Sequence, residues 1–476
     1  MLKKIKGLLF ENQSLKQSIA KNTFWLFSGQ IFGRLTRVII VVYAARLLGP
    51  ASWGAFSYAM SLVAFMTIFS DVGISAIVTK ESAKNPHLSN HYFSTAFFLK
   101  LILLVFGSII LIFGTPYLTK IEEAKKLLPL IALILIFDSL RNFGFAISRA
   151  KEKMQLEGMN EIITNAAITA IGFLMLRQYQ TSESLTLSYV FAVGIGFIII
   201  AWQLKSYFLN LISSFDFSLI KPILTMAWPF ALASSLGAIM INTDTIMLGW
   251  LKSAEEVGWY SAAQRPVQLL YVLPTLFAAS LFPTFTRLAG QNKEKFKTVL
   301  ETALKIAFLT ALPIASGGLL LGKPIINLVF GPDYQNAAAS FQILILTILI
   351  IFPSAIISNA IFANDQQRKF IVFSFLGALG NLFFNFLLIP VFGIAGCSLS
   401  TLITQIIANS FIWIKMKEIN NFSIFPKIKK IIIASLLMGL TIIALKPFSL
   451  TIIIFAAAAV YLLSLKILKE ELLNLG

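Results

Sequence analysis

Six charged side chains lie inside apolar runs of the first half of the chain, and their types point to anion chemistry. Arg34 and Arg37 lie in the run 22–48, Asp71 in 53–79, Lys100 in 91–115, and Asp138 and Arg141 in 127–149. Lipid penalises a bare charge by roughly 2.5–3.5 kcal/mol or more, so each needs a partner or a wet cavity. At a helical rise of about 1.5 Å per residue, Arg34 lies about 18 Å from one common face of the membrane, Asp138 about 16 Å, Asp71 and Lys100 about 14 Å and Arg141 about 12 Å. The six therefore form one layer, with four cations against two anions. Pairing each carboxylate with one cation leaves two positive charges unmatched. Such an excess makes sense if an anion enters. Arginine suits that role, because its planar fork binds phosphate bidentately and its charge does not titrate away. Arg34, Arg37, Lys100 and Arg141 are the candidate binding cations; Asp71 is expected to be the counter-ion of Arg34 and Arg37 ahead of a coupling site, and Asp138 reads as a counter-ion or coupling site. The plain alternative is that Asp71 and Asp138 tie helices together by ion pairs while Lys100 snorkels to the interface. In the second half, Asp244 and Arg265 reach matching depths of about 8 and 10 Å near the opposite face. They read as a local ion pair or as the seat of a coupling ion.

These residues must be positioned by membrane helices. The 476 residues are 57% hydrophobic and 13% charged, with mean hydropathy +0.83, whereas a soluble domain carries about 25% charge. A run of about twenty apolar residues spans a bilayer as a helix. Fourteen such runs occur, at 22–48, 53–79, 91–115, 127–149, 158–177, 184–208, 221–249, 258–286, 298–321, 335–362, 370–389, 394–416, 430–446 and 449–467. The predicted fold is all-α and polytopic. The net charge of +18 does not indicate nucleic acid, because the basic residues sit in short loops between the runs. With the N-terminus in the cytoplasm, 25 of the 39 Lys and Arg fall on the cytoplasmic side and 8 on the other. That asymmetry places both termini in the cytoplasm, and the charged layer in the cytoplasmic half of the membrane.

A weak repeat organises the runs. Ser52-Trp-Gly54-Ala-Phe56-Ser57-Tyr-Ala59 returns as Glu256-Val-Gly258-Trp-Tyr260-Ser261-Ala-Ala263, each octet opening an even-numbered run. Six runs separate the copies, which predicts two six-helix lobes related by an axis along the membrane normal. The expected division is an interfacial segment at 1–21, an N-lobe at 22–209, a C-lobe at 210–417, and two extra C-terminal helices with a tail at 418–476. Mid-run prolines such as Pro229 and Pro266 fall in the second lobe and offer bending points.

Other chemistry finds no support. The single cysteine, Cys397, excludes a disulfide framework, and His87 and His91 sit in a short loop without a carboxylate cluster. There is no phosphate-binding Gly-x-x-x-x-Gly-Lys-Ser/Thr, no Gly-x-Ser-x-Gly and no His-Glu-x-x-His. No resident cofactor, metal site or enzymatic activity is expected; proton or sodium coupling stays open.

Several motifs carry a resemblance. Asn22-x-x-Trp25, Ala45-Arg46-Leu-Leu-Gly49-Pro50-x-x-x-Gly54 and Asp71-x-Gly73 resemble the start of the polysaccharide biosynthesis (Wzx-type) flippases of the multidrug/oligosaccharidyl-lipid/polysaccharide superfamily. Phe330-Gly331-Pro332-x-Tyr334-x-x-Ala337 and Phe392-Gly393-Ile-Ala-Gly396 are similar to that family too. The resemblance implies two lobes about a cavity that opens alternately to either side of a bacterial cytoplasmic membrane. It implies export of an undecaprenyl-pyrophosphate-linked oligosaccharide, such as an O-antigen or capsule unit, with glycan polymerases as expected partners. The alternatives are a cation-coupled multidrug exporter, which favours acidic residues where this layer is basic, a lipid II flippase, and a polytopic sugar polymerase. The last normally carries a large outer loop, and the outer loops here are short.

Overall fold

The structure, a computed structural model, describes residues 14–470. Of the interfacial segment expected at 1–21, residues 1–13 lie outside the described residues, and from Leu15 the chain is helical. The described residues are helical with no strand, and they divide into two compact units, 1–258 and 259–476. The first unit holds α1 (Leu15–Phe69), α2 (Ile74–Lys84), α3 (Ser89–Ile109), α4 (Glu122–Ala150), α5 (Met154–Gln178), α6 (Ser182–Gln203) and α7 (Ile220–Leu251). Helix α8 (Ala254–Leu270) runs across the border. The second unit continues with α9 (Val272–Leu288), α10 (Lys293–Phe330), α11 (Ala337–Ile345), α12 (Ile348–Ala363), α13 (Lys369–Ile419), α14 (Phe425–Ala444) and α15 (Leu450–Ile467).

Among the described residues, ten helical stretches are long and apolar enough to cross a bilayer, and the bent pair α1–α2 makes eleven. Two of them are double, because α1 is interrupted at Gly49 (φ 73°, ψ 172°) and α13 at Gly393 (φ 56°, ψ −132°). Only glycine adopts such angles cheaply, and Pro50 then starts the next helix, where its missing N–H costs nothing. Counting each half, and adding α14, the described residues hold the fourteen segments that the apolar runs predict.

The two repeated octets meet. A Cβ on Gly54 would lie 1.8 Å from the Ala254 carbonyl oxygen, and one on Gly258 would lie 1.9 Å from that of Pro50. Each glycine faces the residue four before the other, so the contact is reciprocal. The spacing of the octets is thus a packing feature, two helix starts touching backbone to backbone.

In the first unit the apolar surface is turned outward, as lipid requires. On α3, Ile102, Val105, Phe106 and Ile109 are exposed, while Lys100, Leu104 and Gly107 form the buried stripe. Ile74, Val78, Phe93, Phe143, Ile147 and Ile200 close a core between α2, α3, α4 and α6. In the second unit α14 packs against α10 and α15. Glu301 on α10 accepts from Lys427 at 2.6 Å, and Lys305 on α10 pairs with Glu470 beyond α15.

Candidate functional site

Small residues decide where α1 and α5 cross. Gly29 and Gly33 are spaced one turn apart on α1, and a Cβ on Gly29 would lie 2.7 Å from the Gly158 Cα of α5. A Cβ on Gly158 would lie 2.3 Å from the Trp25 carbonyl oxygen, and one on Gly33 would lie 2.7 Å from Asn165 Nδ2. Close approach through small residues four apart is the usual way apolar helices associate in lipid. It sets the polar residues that follow on each helix against one another. Arg37 comes one turn after Gly33, while Glu161 and Asn165 follow Gly158 at helical spacing.

The result is a cavity of about 490 Å³ inside the first unit, lined by both halves of α1 and by α4, α5 and α6. Helix α4 contributes a single stripe of Asp138, Arg141, Asn142, Phe145 and Arg149. Helix α5 contributes Glu157, Glu161 and Asn165, and α6 contributes Tyr189. Arg34 and Arg37 enter from α1. The lining thus carries four arginines against three carboxylates, a formal surplus of one positive charge.

Most of these charges are committed. Arg149 Nε donates to Glu157 Oε2 at 2.7 Å. Arg141 Nη2 donates to Asp138 Oδ1 at 2.8 Å and reaches Glu161 Oε1 at 3.4 Å. Asn142 Nδ2 donates to the other oxygen of Asp138 at 3.0 Å. Arg37 has no carboxylate among the described residues; its Nε donates to Asn165 Oδ1 at 2.7 Å, and its guanidinium lies 5.9 Å from the Tyr189 ring centre. Asn165 Nδ2 in turn donates to the Glu161 backbone oxygen at 2.7 Å and to Glu161 Oε2 at 3.2 Å. Arg34 is exposed in the cavity wall and makes no ion pair among the described residues. Arg141 is 5% exposed and its guanidinium lies 5.2 Å from the Phe145 ring centre, yet its Nε and Nη1 make no hydrogen bond among the described residues. Arg34 and the unused N–H groups of Arg37 are therefore available to an anion in the cavity, whereas those of Arg141 are buried and costly to leave empty.

The layer read from depth is thus divided by the structure. Arg34, Arg37, Asp138 and Arg141 come together, but Lys100 and Asp71 do not join them. Lys100 neither lines the cavity nor snorkels: its side chain is 1% exposed and pairs with Asp71. Asp71 is consequently the counter-ion of Lys100, not of Arg34 and Arg37, because the buried stripe of α3 faces the end of the first stretch of α1–α2. A Cβ on Gly107 of that stripe would lie 3.1 Å from Ser70 Oγ. Asp244 is buried on α7 of the first unit, Arg265 is exposed on α8 in the second, and neither lines the cavity. Among the described residues no group of three or more His, Cys, Asp or Glu is arranged to hold a metal.

Sequence reasoning missed Arg149, Glu157, Glu161 and Asn165. Arg149 reads as a loop cation because it closes the run 127–149. It also lies on the i, i+3, i+7, i+11 stripe from Asp138, and that spacing was the available signal. Glu157 precedes the run 158–177, and Glu161 and Asn165 lie in its weakly hydrophobic opening, where polar residues look like a frayed helix start.

Asn165 positions Arg37, and an aspartate there is the sharpest substitution. Asn165→Asp keeps the shape but gives Arg37 a charged partner and sets a second carboxylate against Glu161. We expect Asn165→Asp to weaken anion binding by roughly tenfold or more, since a charge-assisted bond contributes about 1.5–3 kcal/mol. Asn165→Gln should be milder. Binding of a short polyprenyl diphosphate to the purified protein, measured by calorimetry, checks the order; equal affinities in the two variants would remove Asn165 from this role.

Comparison with known proteins gives the same direction. Residues 19–289 match the family described as polysaccharide biosynthesis protein, and residues 229–387 match the family described as MatE. The chain is 24% identical over 401 residues to the capsular polysaccharide biosynthesis protein CapF of Staphylococcus aureus, covering 82% of this chain and 97% of that one. It is 24% identical over 353 residues to a putative O-antigen transporter of Shigella flexneri, covering 71% and 82% respectively. Among solved structures, the lipid II flippase MurJ in its inward closed conformation superimposes with TM-score 0.75 at 19% identity, covering 95% of this chain and all of that one. At that identity the last likeness speaks for the fold alone.

Proposed function

The chain belongs to the polysaccharide biosynthesis protein family, and from that membership we propose that it moves a lipid-linked oligosaccharide across the membrane. The substrate we infer is an undecaprenyl-diphosphate-linked repeat unit, carried from the cytoplasmic to the outer leaflet of a bacterial cytoplasmic membrane by alternating access. The observation that carries this reading is the cavity in which, among the described residues, Arg34 makes no ion pair and Arg37 bonds the Asn165 amide and no carboxylate. A diphosphate needs several rigid cationic donors, and guanidinium groups supply them in bidentate geometry. At about 490 Å³ the cavity is of the size that holds a drug-sized ligand. It suits the diphosphate and the adjoining sugar, leaving the polyprenyl tail to the lipid.

A cation-coupled multidrug exporter is disfavoured, because organic cations would meet a lining with more arginines than carboxylates. The working chemistry is binding and translocation; no bond of the substrate is made or broken, and both termini are assigned to the cytoplasm. The test is translocation itself. Purified protein in liposomes should move a fluorescent undecaprenyl-diphosphate oligosaccharide between leaflets, as read by a membrane-impermeant quencher. Quenching no faster than in protein-free liposomes, with each of several repeat units, would sink the proposal.

A further inference from the structure

The run 53–79 is broken in its interior. The first stretch ends at Phe69 and the next begins at Ile74, with the two helical pieces bent by 43°. Between them Val72 takes φ 44° and Gly73 takes φ 77°. Left-handed angles are unfavourable for a β-branched side chain, so Val72 holds strain. Gly73 is required, since a Cβ there would lie 2.7 Å from the Ala227 carbonyl oxygen of α7. The break therefore rests on α7 near Pro229, where that helix also lacks a backbone donor.

Asp71 occupies the break. Its Oδ1 accepts from the Ser75 hydroxyl and from the Lys100 ammonium, and Lys100 also reaches Ser75 Oγ at 3.3 Å. No other charged group pairs with Asp71 among the described residues. At this level α7 presents Ala227, Phe230 and Ala231, and the α4 charges Asp138 and Arg141 bond each other. On α2, Lys80 and Glu81 pair 3.7 Å apart further along the helix. The two partners differ in access: the Lys100 side chain is 1% exposed and that of Asp71 is 25% exposed. The acid thus has surface open to a proton donor, whereas the base is enclosed.

We propose that Asp71 is a proton-binding site that works the break in this span through Lys100. A proton adds to the Asp71 carboxylate, and no other bond changes. The ammonium of Lys100 is then left buried with only the Ser75 hydroxyl, a state that low-dielectric surroundings penalise heavily. Relief comes when the break shifts so that the ammonium meets water, a movement that the strain at Val72 favours. Return of Asp71 to its ionised form restores the pair and the bend. A proton gradient thereby acts on a helix whose first stretch lines the cavity with Met60, Val63, Ala64 and Thr67.

The test needs no substrate, so its outcome is independent of the export reading. Cys397 is the single cysteine, and its replacement by alanine allows an environment-sensitive fluorophore to be placed at Phe69→Cys, which is exposed at the edge of the break. Infrared difference spectra on acidification should show the carbonyl stretch of a protonated carboxyl. Asp71→Asn should lose that band and Asp71→Glu should move it. Fluorophore emission should shift with the same pH dependence in the parent protein and stay constant in Asp71→Asn. Lys100→Met should keep the band and lose the emission shift. A parent protein without an Asp71-dependent band, or an emission shift that survives in Asp71→Asn or Lys100→Met, overturns the proposal.

Discussion

Glutamine at both Arg34 and Arg37 is expected to stop glycan export while the protein stays in the membrane at its normal level. Neither guanidinium is tied to a carboxylate among the described residues, so removing their charge strands no buried anion. That separates them from Arg141, whose loss would leave Asp138 and Glu161 without their shared cation. A charge-assisted bond to a phosphate contributes about 1.5–3 kcal/mol, so each single variant should weaken substrate binding by roughly tenfold to a hundredfold. The double variant should exceed either single one, though neighbours on one ligand rarely add simply. Lysine at position 34 should fall between, keeping the charge and losing the fork. The measurement is surface glycan together with accumulated lipid-linked intermediate, normalised to membrane protein. Wild-type export by the double variant at normal protein level would remove the anion-binding role.

The second large effect lies in the packing beneath the site. Gly158→Val is expected to destabilise the first unit strongly, because its Cβ would sit 2.3 Å from the Trp25 carbonyl oxygen and 3.3 Å from the Trp25 Cβ. A clash with backbone has no flexible side chain to absorb it. Overpacking a close-packed contact costs about 1–3 kcal/mol, and backbone on both sides puts this one at the upper end. Separating α1 from α5 also pulls Arg37 away from Asn165. Gly237→Ala is the matched control, since nothing lies within 4 Å of a Cβ at that helical position. There the alanine should be neutral or stabilising by up to about 1 kcal/mol. Thermal unfolding of the detergent-purified variants gives the comparison; a Gly158→Val protein that melts with the parent would refute the crossing as described.

Much of this was legible without coordinates. Composition alone dictates a polytopic helical chain, because so few charges and so long a series of apolar runs have no soluble alternative. The runs also mark where helices start, and Gly49 and Gly393 end theirs for the conformational reason that the residue type implies. The repeated octets were read as a sign of two related lobes, and what the structure adds is a reciprocal close contact of Gly54 and Gly258. Arg34, Arg37, Asp138 and Arg141 were found from depth alone, and they do share one cavity.

What depth could not supply was direction around each helix. A residue's height in the membrane follows from a nearly constant rise along the axis, so the charged layer could be read by counting. Which member of that layer meets which depends on how the helices are turned and where they cross. Those are set by contacts such as Gly29 on Gly158, made between residues more than a hundred apart. Asp71 was therefore assigned to the layer by its height and given the wrong partner. The stripe of α3 that is buried carries Lys100 to the break in the span, while Arg34 lines the cavity and Arg37 meets Asn165 of α5 and Tyr189 of α6. Counting along one chain finds the charges; only helices packed against one another decide which of them are spent on each other and which are left for a ligand.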